Sequence, residues 1–354
     1  MFSFLSNKKA EEAVNEFNQS MKPVSLWDDA WKRLRKNKMA IIGLWIVIIY
    51  FAIALFAPII PIHPYEQQVL DHIYLPPSFK PAGEVMLKQW ENHTKKIMKK
   101  EGRTEYTEAE QAKYDDMLED IATNPIHQRH YILGTDSLGR DILSRTIYGG
   151  RISMSIGLVG TITALLIGII FGALAGYMGG WVDSIIMRIV DIMYGLPYML
   201  IVIIMMAILG RNIFILFVAI ALVSWLTIAR VVRGQIISLK NSEFVEAARS
   251  SGASSGRIIF RHLLPNTISI IIVYATLSLP SFIMSESFLS FLGLGVSAPL
   301  ASWGSLVSDG VNGMGLYPWL LLVPAITMTI FLFAMNFLGD GLRDAFDPES
   351  KNQA

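Results

Sequence analysis

Few side chains in this sequence have the type and spacing for chemistry, and most of them are histidines. The 354-residue chain has six histidines and no cysteine, which excludes disulfides, thiol catalysis and cysteine-ligated metal sites. Five histidines fall between residues 63 and 130, and His127 and His130 are spaced to share one face. No carboxylate or cysteine in the pattern completes a ligand set with them. We therefore expect these histidines to be ordinary residues of a polar segment and not the ligands of a metal site.

Other ionisable residues lie inside apolar stretches, where a charge costs roughly 2.5–3.5 kcal/mol at the centre of a span. Glu286 stands toward the outer end of the stretch from about 267 to 292. Two interpretations stay open: its carboxylate lines a path through the bundle, or it is capped or solvated near the interface. Arg188 and Asp191 are three residues apart on one helical face, so we expect them to pair with each other.

The elements that must position these residues are membrane spans. Of the residues, 53% are hydrophobic, the mean hydropathy is +0.45, and apolar stretches of about 20 residues recur. Six such stretches predict an all-α membrane protein: about 41–60, 152–178, 192–209, 213–229, 267–292 and 317–338. Residues 1–20 have neither a continuous apolar core nor a small-residue cleavage site. The first span is therefore expected to act as the insertion signal.

Lysine and arginine in the flanking segments predict the orientation of these spans. Basic residues precede the first span and fill the loop between the fourth and fifth, whereas residues 293–315 contain none. By the positive-inside rule, both termini and this basic loop lie inside the cell. The predicted organisation is a cytoplasmic segment 1–40, a first span 41–60, an extracellular segment 61–148, a membrane core 149–340 that includes the loop 240–266, and a cytoplasmic tail 341–354.

The extracellular segment contains a predicted helical hairpin. "GEVMLKQWENHTKKIMKK" and "TEAEQAKYDDMLEDI" both have helical periodicity, and Gly102 separates them. Thr107 and Glu110 have the spacing of a capping box at the start of the second helix. A solvated insert without activity of its own is the favoured interpretation.

The cytoplasmic loop is longer and more patterned than a connection between two spans requires. Its sequence from Glu243 to Asn266, "EFVEAARSSGASSGRIIFRHLLPN", predicts two short helices. Ser242 is the expected N-cap, Gly252 the break and Pro265 the end of the second helix. Small residues at the break would form a low convex elbow that fits a groove on another protein, while the flanking arginines pair with acidic groups there. One histidine and no nucleophile make a poor catalytic site.

Three stretches of the sequence resemble a known family. Glu246-Ala247-Ala248, three residues, Gly252, nine residues, then His262-Leu263-Leu264-Pro265 resembles the EAA loop of ATP-binding-cassette (ABC) import permeases. That pattern commonly has Ile where this chain has His262. Residues 133–157, "LGTDSLGRDILSRTIYGGRISMSIG", and 285–310, "SESFLSFLGLGVSAPLASWGSLVSDG", resemble the second membrane subunit of oligopeptide and dipeptide importers. The resemblance covers about 32–347, except the insert at about 76–130.

The resemblance implies a fold, partners and a site. The fold would be the six-helix type I ABC importer permease fold in the cytoplasmic membrane of a bacterium, with an extracellular helical insert. The partners would be a homologous permease in a heterodimer, two cytoplasmic ATPase subunits and an extracellular peptide-binding protein. The docking residues would be Glu246, Ala247, Ala248, Gly252, His262, Leu264 and Pro265. Glu286 is the candidate for the translocation path, where it would attract the amino terminus of a peptide.

Energy for transport would come from the partners. The chain contains no GxxxxGK[ST] phosphate loop, so we expect it to be no enzyme and to hold no cofactor, with ATP bound by the ATPase subunits. The expected partners are these proteins and the lipid bilayer. No nucleic acid is expected as a partner.

Other functions were weighed against this one. The same architecture would serve dipeptides, nickel or another small solute. A stand-alone secondary transporter would show inverted repeats or clustered carboxylates at mid-membrane, and no such repeat is found. An intramembrane enzyme would need a His, Cys or Ser–His constellation within the spans, and the sequence has none there.

Overall fold

The computed structural model describes residues 26–210 and 212–346, and within these residues the regular structure is helical with two isolated β-bridges. The helices are α1 Leu26–Lys36, α2 Lys38–Phe56, α3 Ala82–Glu101, α4 Glu108–Thr123, α5 Ile142–Met178, α6 Gly180–Gly195, α7 Tyr198–Leu209, α8 Ile213–Leu239, α9 Glu243–Ser250, α10 Ser255–Phe291, α11 Trp303–Gly313 and α12 Trp319–Phe346. Short 3₁₀ helices cover Leu70–His72 and Pro125–Gln128. The predictions made for residues 1–25 and 347–354 lie outside the described residues.

Five helices are long and apolar enough to cross a membrane, namely α2, α5, α8, α10 and α12. The third predicted span is broken: α6 and α7 meet at an angle of 82°. Leu196 is extended, with φ −93° and ψ 136°, because the ring of Pro197 disfavours a helical residue before it. Counting this pair as one span, the sequence prediction of six apolar spans in an all-α chain is confirmed.

Close packing of α5 on α8 forms the centre of the bundle. Gly168, Gly172 and Gly176 recur every four residues along α5 and face Ile228, Ala229, Val232 and Ile236 of α8. A Cβ atom added to Gly172 would lie 2.5 Å from the carbonyl oxygen of Ala229. These small residues allow the two helices to approach closely.

Ion pairs join α6 to α8. Asp183 accepts two hydrogen bonds from Arg233, at 2.5 and 2.6 Å, and Asp191 accepts one from Arg230 at 2.6 Å. The prediction that Arg188 pairs with Asp191 along α6 was wrong. The planar guanidinium of Arg230 reaches across from the neighbouring helix, and its cation also lies over the ring of Tyr194.

The helical hairpin predicted between the first and second spans is confirmed as α3 and α4. Gly102 ends α3 with a φ of +69°, and Thr107 and Glu110 form the predicted capping box. Arg103 binds Glu110 from the connecting turn, at 3.0 and 3.1 Å. These hydrogen bonds lower the pKa of Glu110 to about 2.

A buried chain of hydrogen bonds fixes the hairpin to the rest of the segment. The Tyr131 hydroxyl lies 3.0 Å from Nδ1 of His72, and Nε2 of His72 lies 2.8 Å from Nδ1 of His127. Nε2 of His127 lies 2.8 Å from a carboxylate oxygen of Asp120 on α4. Both ring nitrogens of His127 are therefore occupied, and the structure does not bring its ring together with that of His130 at a metal site.

The outer connection between α10 and α12 contains a helix that the sequence pattern did not reveal. Ser302 caps the start of α11 in a capping box with Ser305. Trp303 is buried against α5, where its indole N–H donates to the carbonyl of Thr146 at 3.0 Å. The rings of Tyr74 and Tyr317 stack with their centroids 4.0 Å apart. These contacts attach the extracellular segment to the outer ends of the spans.

Candidate docking surface

The predicted elbow is present and begins directly after α8. Ser242 occupies the N-cap position of α9, but its hydroxyl donates backwards to the carbonyl of Leu239 at 2.6 Å. Helix α9 then runs for eight residues and reverses into α10 around Gly252. The two short helices expected from the sequence are α9 and the first turns of α10.

A Schellman motif closes the elbow. The amide of Ala253 donates to the carbonyl of Ala248 at 3.1 Å, and the amide of Gly252 donates to that of Arg249 at 3.0 Å. Gly252 has a φ of +78°, which glycine adopts without the steric cost that other residues incur. The side chains of Ala248 and Ala253 both pack on the hydrophobic core. Hydrogen bonds and packing together hold the angle between α9 and α10.

The underside of the elbow belongs to the core of the bundle. Val245, Ile258 and Leu263 are buried, and they share one hydrophobic cluster with Val232 and Ile236 of α8. The elbow and the adjoining ends of α8 and α10 are therefore packed together, and close-packed side chains transmit strain.

The outer surface of the elbow carries the residues expected to dock. Glu246, Ala247 and Gly252 are exposed, and Ala248 is half-buried. A Cβ atom added at Gly252 would meet nothing within 4 Å, so the surface there is low and open. Arg249, Arg257 and Arg261 lie on either side of Gly252 in the sequence and are exposed.

Phe260 extends the docking surface beyond the residues selected from the sequence. Its ring is 68% exposed at the inner end of α10, next to Arg261. Exposed aromatic residues beside arginines are typical of interface centres.

The prediction that Pro265 ends a separate second helix was wrong. Helix α10 continues from Ser255 to Phe291 through a π turn over Ile259–Leu263. The amide of Leu264 donates to the carbonyl of Ile259, and this wider turn accommodates the proline, which has no amide hydrogen to donate. Pro265 is exposed, whereas His262 and Leu264 are half-buried. The elbow is thus continuous with the fifth apolar span.

Glu286 lies away from the elbow, at the outer end of α10. Its side chain is fully buried, and one carboxylate oxygen lies 2.6 Å from the hydroxyl of Ser290 and 2.6 Å from that of Ser302. The carboxylate therefore ties α10 to the start of α11. Its role in a translocation path stays a prediction.

A charged network at the outer end of α5 was missed as a functional feature. Asp136 accepts from Arg140 at 2.7 Å and from Arg145 at 2.5 Å, and all three residues are buried. They line a cavity of about 380 Å³ together with Asp309 of α11. The sequence "GTDSLGRDILSR" held the signal, since it places two arginines and two aspartates at the start of a predicted span.

Comparisons with known proteins agree with this geometry. The family described as binding-protein-dependent transport system inner membrane component matches residues 168–352. The family described as the N-terminal TM domain of oligopeptide transport permease C matches residues 25–77.

Three curated proteins are similar to the chain over almost all of its length. It is 38% identical to the oligopeptide transport system permease protein OppC of Bacillus subtilis, over 93% of this chain and 92% of that protein. It is 39% identical to the dipeptide transport system permease protein DppC of Bacillus subtilis, over 98% and 92%. It is 40% identical to OppC of Escherichia coli, over 98% and 99%.

Proposed function

The chain belongs to the family of binding-protein-dependent transport system inner membrane components, and from this premise we propose that it couples peptide import to a separate ATPase through residues 243–266. It is a permease subunit of an ABC peptide importer and a multi-pass protein of the bacterial inner membrane. The family is one of transport permeases and works with a second permease and with ATPase subunits.

The observation that carries the proposal is the two-sided construction of the elbow. One side presents Glu246, Ala247 and Gly252 to solvent, and the other buries Val245 and Leu263 in the core that holds α8 and α10. An ATPase groove that receives the exposed side would act on both helices at once. A free connecting loop would lack such a mechanical connection.

The remaining partners follow from the predicted orientation. With the elbow inside, α3 and α4 lie outside, where an extracellular peptide-binding protein would deliver its peptide. We propose one homologous permease as heterodimer partner and two ATPase subunits, one for each elbow. Both termini would then lie in the cytoplasm.

Peptides are the proposed substrate class. The relatives carry oligopeptide and dipeptide names at 38% and 39% identity, which favours peptides in general over one peptide length. Import of nickel or another small solute has no feature of the described residues in its favour.

Copurification tests the docking. We expect Glu246→Arg to reduce the amount of ATPase that copurifies with the chain in mild detergent, because it reverses a charge on the exposed side of the elbow. Glu119→Arg, the same change at an exposed position of α4, serves as the matched control on the other side of the membrane. Equal recovery of ATPase with both variants would contradict the docking assignment.

A further inference from the structure

The break between α6 and α7 opens onto a groove that the docking elbow does not explain. A cavity of about 620 Å³ lies there, bounded by both helices and by α8 and α10. Irregular backbone at the depth of a membrane is tolerated only where protein buries it or where it lines a polar cavity. Leu196 and Pro197 line this cavity themselves. The irregular backbone of the break thus borders a cavity.

Hydroxyl groups supply the polarity of the groove. They come from α6, α7, α8 and α10, and they include Tyr194, Tyr198, Thr227, Ser278, Ser281 and Ser285. Among the residues that line the groove, none is an aspartate, glutamate, lysine, arginine or histidine. The lining is thus uncharged and largely apolar, and its hydroxyl groups can bind an uncharged partner group that donates and accepts hydrogen bonds.

The serine hydroxyls of the groove can accept further hydrogen bonds. Ser278 and Ser285 each donate to the carbonyl one turn earlier on α10, at 2.7 and 2.8 Å. A hydroxyl that donates once still has two lone pairs for other donors. A row of such oxygens matches the repeated amide hydrogens of an extended chain.

Tyrosines on the opposite side of the groove add donors. The hydroxyl of Tyr198 is buried without a hydrogen-bond partner among the described residues, although Ser285 is its neighbour. Tyr194 and Thr227 share a hydrogen bond of 2.6 Å. Residues that carry hydroxyl groups thus line the groove on both walls, and a hydroxyl can donate to or accept from a peptide group.

We propose that this hydroxyl groove contacts the backbone of the permeating peptide, and that its lack of charge lets acidic and basic peptides pass alike. The inference rests on the proposed function and names where the substrate touches this chain. The volume of about 620 Å³ lies within the usual range of roughly 300–1,000 Å³ for ligand pockets. A charged lining would instead select peptides by the charge of their side chains.

Cysteine labelling tests contact with the peptide. The natural chain has no cysteine, so Ser281→Cys introduces a single thiol into the groove of the reconstituted complex. We expect a transported peptide and ATP to slow its modification by an uncharged thiol reagent several-fold. Ser155→Cys is the matched control, because Ser155 is a half-buried serine of α5 outside the groove that also donates to the carbonyl one turn earlier.

A modification rate of Ser281→Cys that is the same with and without peptide would overturn the proposal. So would protection that is already complete without peptide, since the partner permease would then fill the groove. The proposed function is checked separately in the unaltered complex, where ATP-dependent uptake must be present before the labelling is interpreted.

Substitutions of opposite charge at Ser281 test whether the uncharged lining lets acidic and basic peptides pass alike. We expect Ser281→Asp to lower uptake of an acidic peptide relative to a basic one by about tenfold, because like charges repel at short range. Ser281→Lys should shift the same ratio in the opposite direction. Ratios that do not move in opposite directions would contradict contact at this groove, and a variant that fails to assemble leaves the labelling result to decide.

Discussion

The amide of Ala253 donates to the carbonyl of Ala248 across the elbow, at 3.1 Å. This hydrogen bond spans Gly252 and fixes the direction in which α10 leaves α9. Both alanines also pack on the core of the bundle. The elbow is therefore packed as part of the membrane domain, as the proposed coupling to a separate ATPase requires.

Substitution of Gly252 by valine should uncouple the complex without unfolding it. A β-branched residue at a φ of +78° is strained by about 1–3 kcal/mol, while the open space around Gly252 excludes a wider clash. We expect peptide-stimulated ATP hydrolysis in the reconstituted complex to fall at least severalfold, with membrane insertion unchanged. Gly256→Ala is the control, because Gly256 is helical and equally open. Unchanged stimulation in Gly252→Val would count against the elbow as the coupling element.

Close packing of α5 on α8 predicts that the same substitution at two glycines has different effects on stability. Gly172→Leu should lower the melting temperature in detergent, since its first added carbon would lie 2.5 Å from the carbonyl oxygen of Ala229. Overpacking of this kind costs about 1–3 kcal/mol. Gly234→Leu on α8 should have little effect, because nothing lies within 4 Å of the added carbon. Equal melting temperatures would refute the assigned packing.

The burial of Glu286 predicts that polar and apolar replacements of this residue differ in thermal stability. Glu286→Gln keeps an oxygen that accepts from Ser290 and Ser302, so thermal stability should be close to that of the natural protein. Glu286→Leu leaves buried hydroxyls without an acceptor and should cost about 1–3 kcal/mol. Thermal unfolding in detergent measures both variants. If Glu286→Leu proves as stable as Glu286→Gln, these hydrogen bonds do not hold α10 to α11.

A role of Glu286 in the translocation path has its own test. Such a role predicts that Glu286→Gln lowers uptake of peptides with a free amino terminus relative to peptides with an acetylated one. The measurement is the ratio of the two uptake rates in proteoliposomes. If the ratio and the uptake across peptide charges stay the same, the carboxylate is structural only.

The histidine chain in the extracellular segment predicts a dependence of stability on pH. Burial, with His127 and Arg129 nearby, lowers the pKa of His72 from 6.5 to about 4. Asp120 acts in the opposite direction, and His63 adds to the lowering. The folded state therefore binds fewer protons than the unfolded state. Its stability is intact above pH 6.5 and decreases as the pH falls toward 4, by at most about 3 kcal/mol.

Hydrogen exchange of α3 and α4 between pH 7.5 and 4.5 measures this effect, and protection should decrease over that interval. His72→Phe should reduce the pH dependence of protection, whereas His93→Gln, at an exposed position of α3, should not. Protection in the natural protein that is independent of pH would show that protonation of His72 does not loosen the segment.

Local signals in the sequence predicted much of this fold and of the elbow. Gly102 and Thr107 carry turn and cap chemistry that acts within a few residues, so both ends of the hairpin were predictable. Gly252 is a similar case, because a small residue between two helical patterns indicates a break wherever the rest of the chain lies. The glycines of α5 likewise show their packing role through spacing alone.

Contacts between residues far apart in the sequence were not predicted. Asp191 pairs with Arg230 of another helix, and no spacing within α6 reveals that. His127 meets His72 only after the extracellular segment has folded. Pro265 lies within a continuous helix because the π turn before it removes the conflict with its ring, and a π turn has no clear sequence pattern. The groove was not predicted either, because its hydroxyls come from four separate helices.

The central claim is that separate ATPase subunits act through the elbow. Reconstitution with and without these subunits tests it most directly. The chain and its partner permease would be placed in proteoliposomes, with the peptide-binding protein outside and ATP inside, and peptide accumulation would be measured. We expect accumulation only when the ATPase subunits are present and hydrolyse ATP. Accumulation at an equal rate without any ATPase would contradict the claim that a separate motor acts through the elbow.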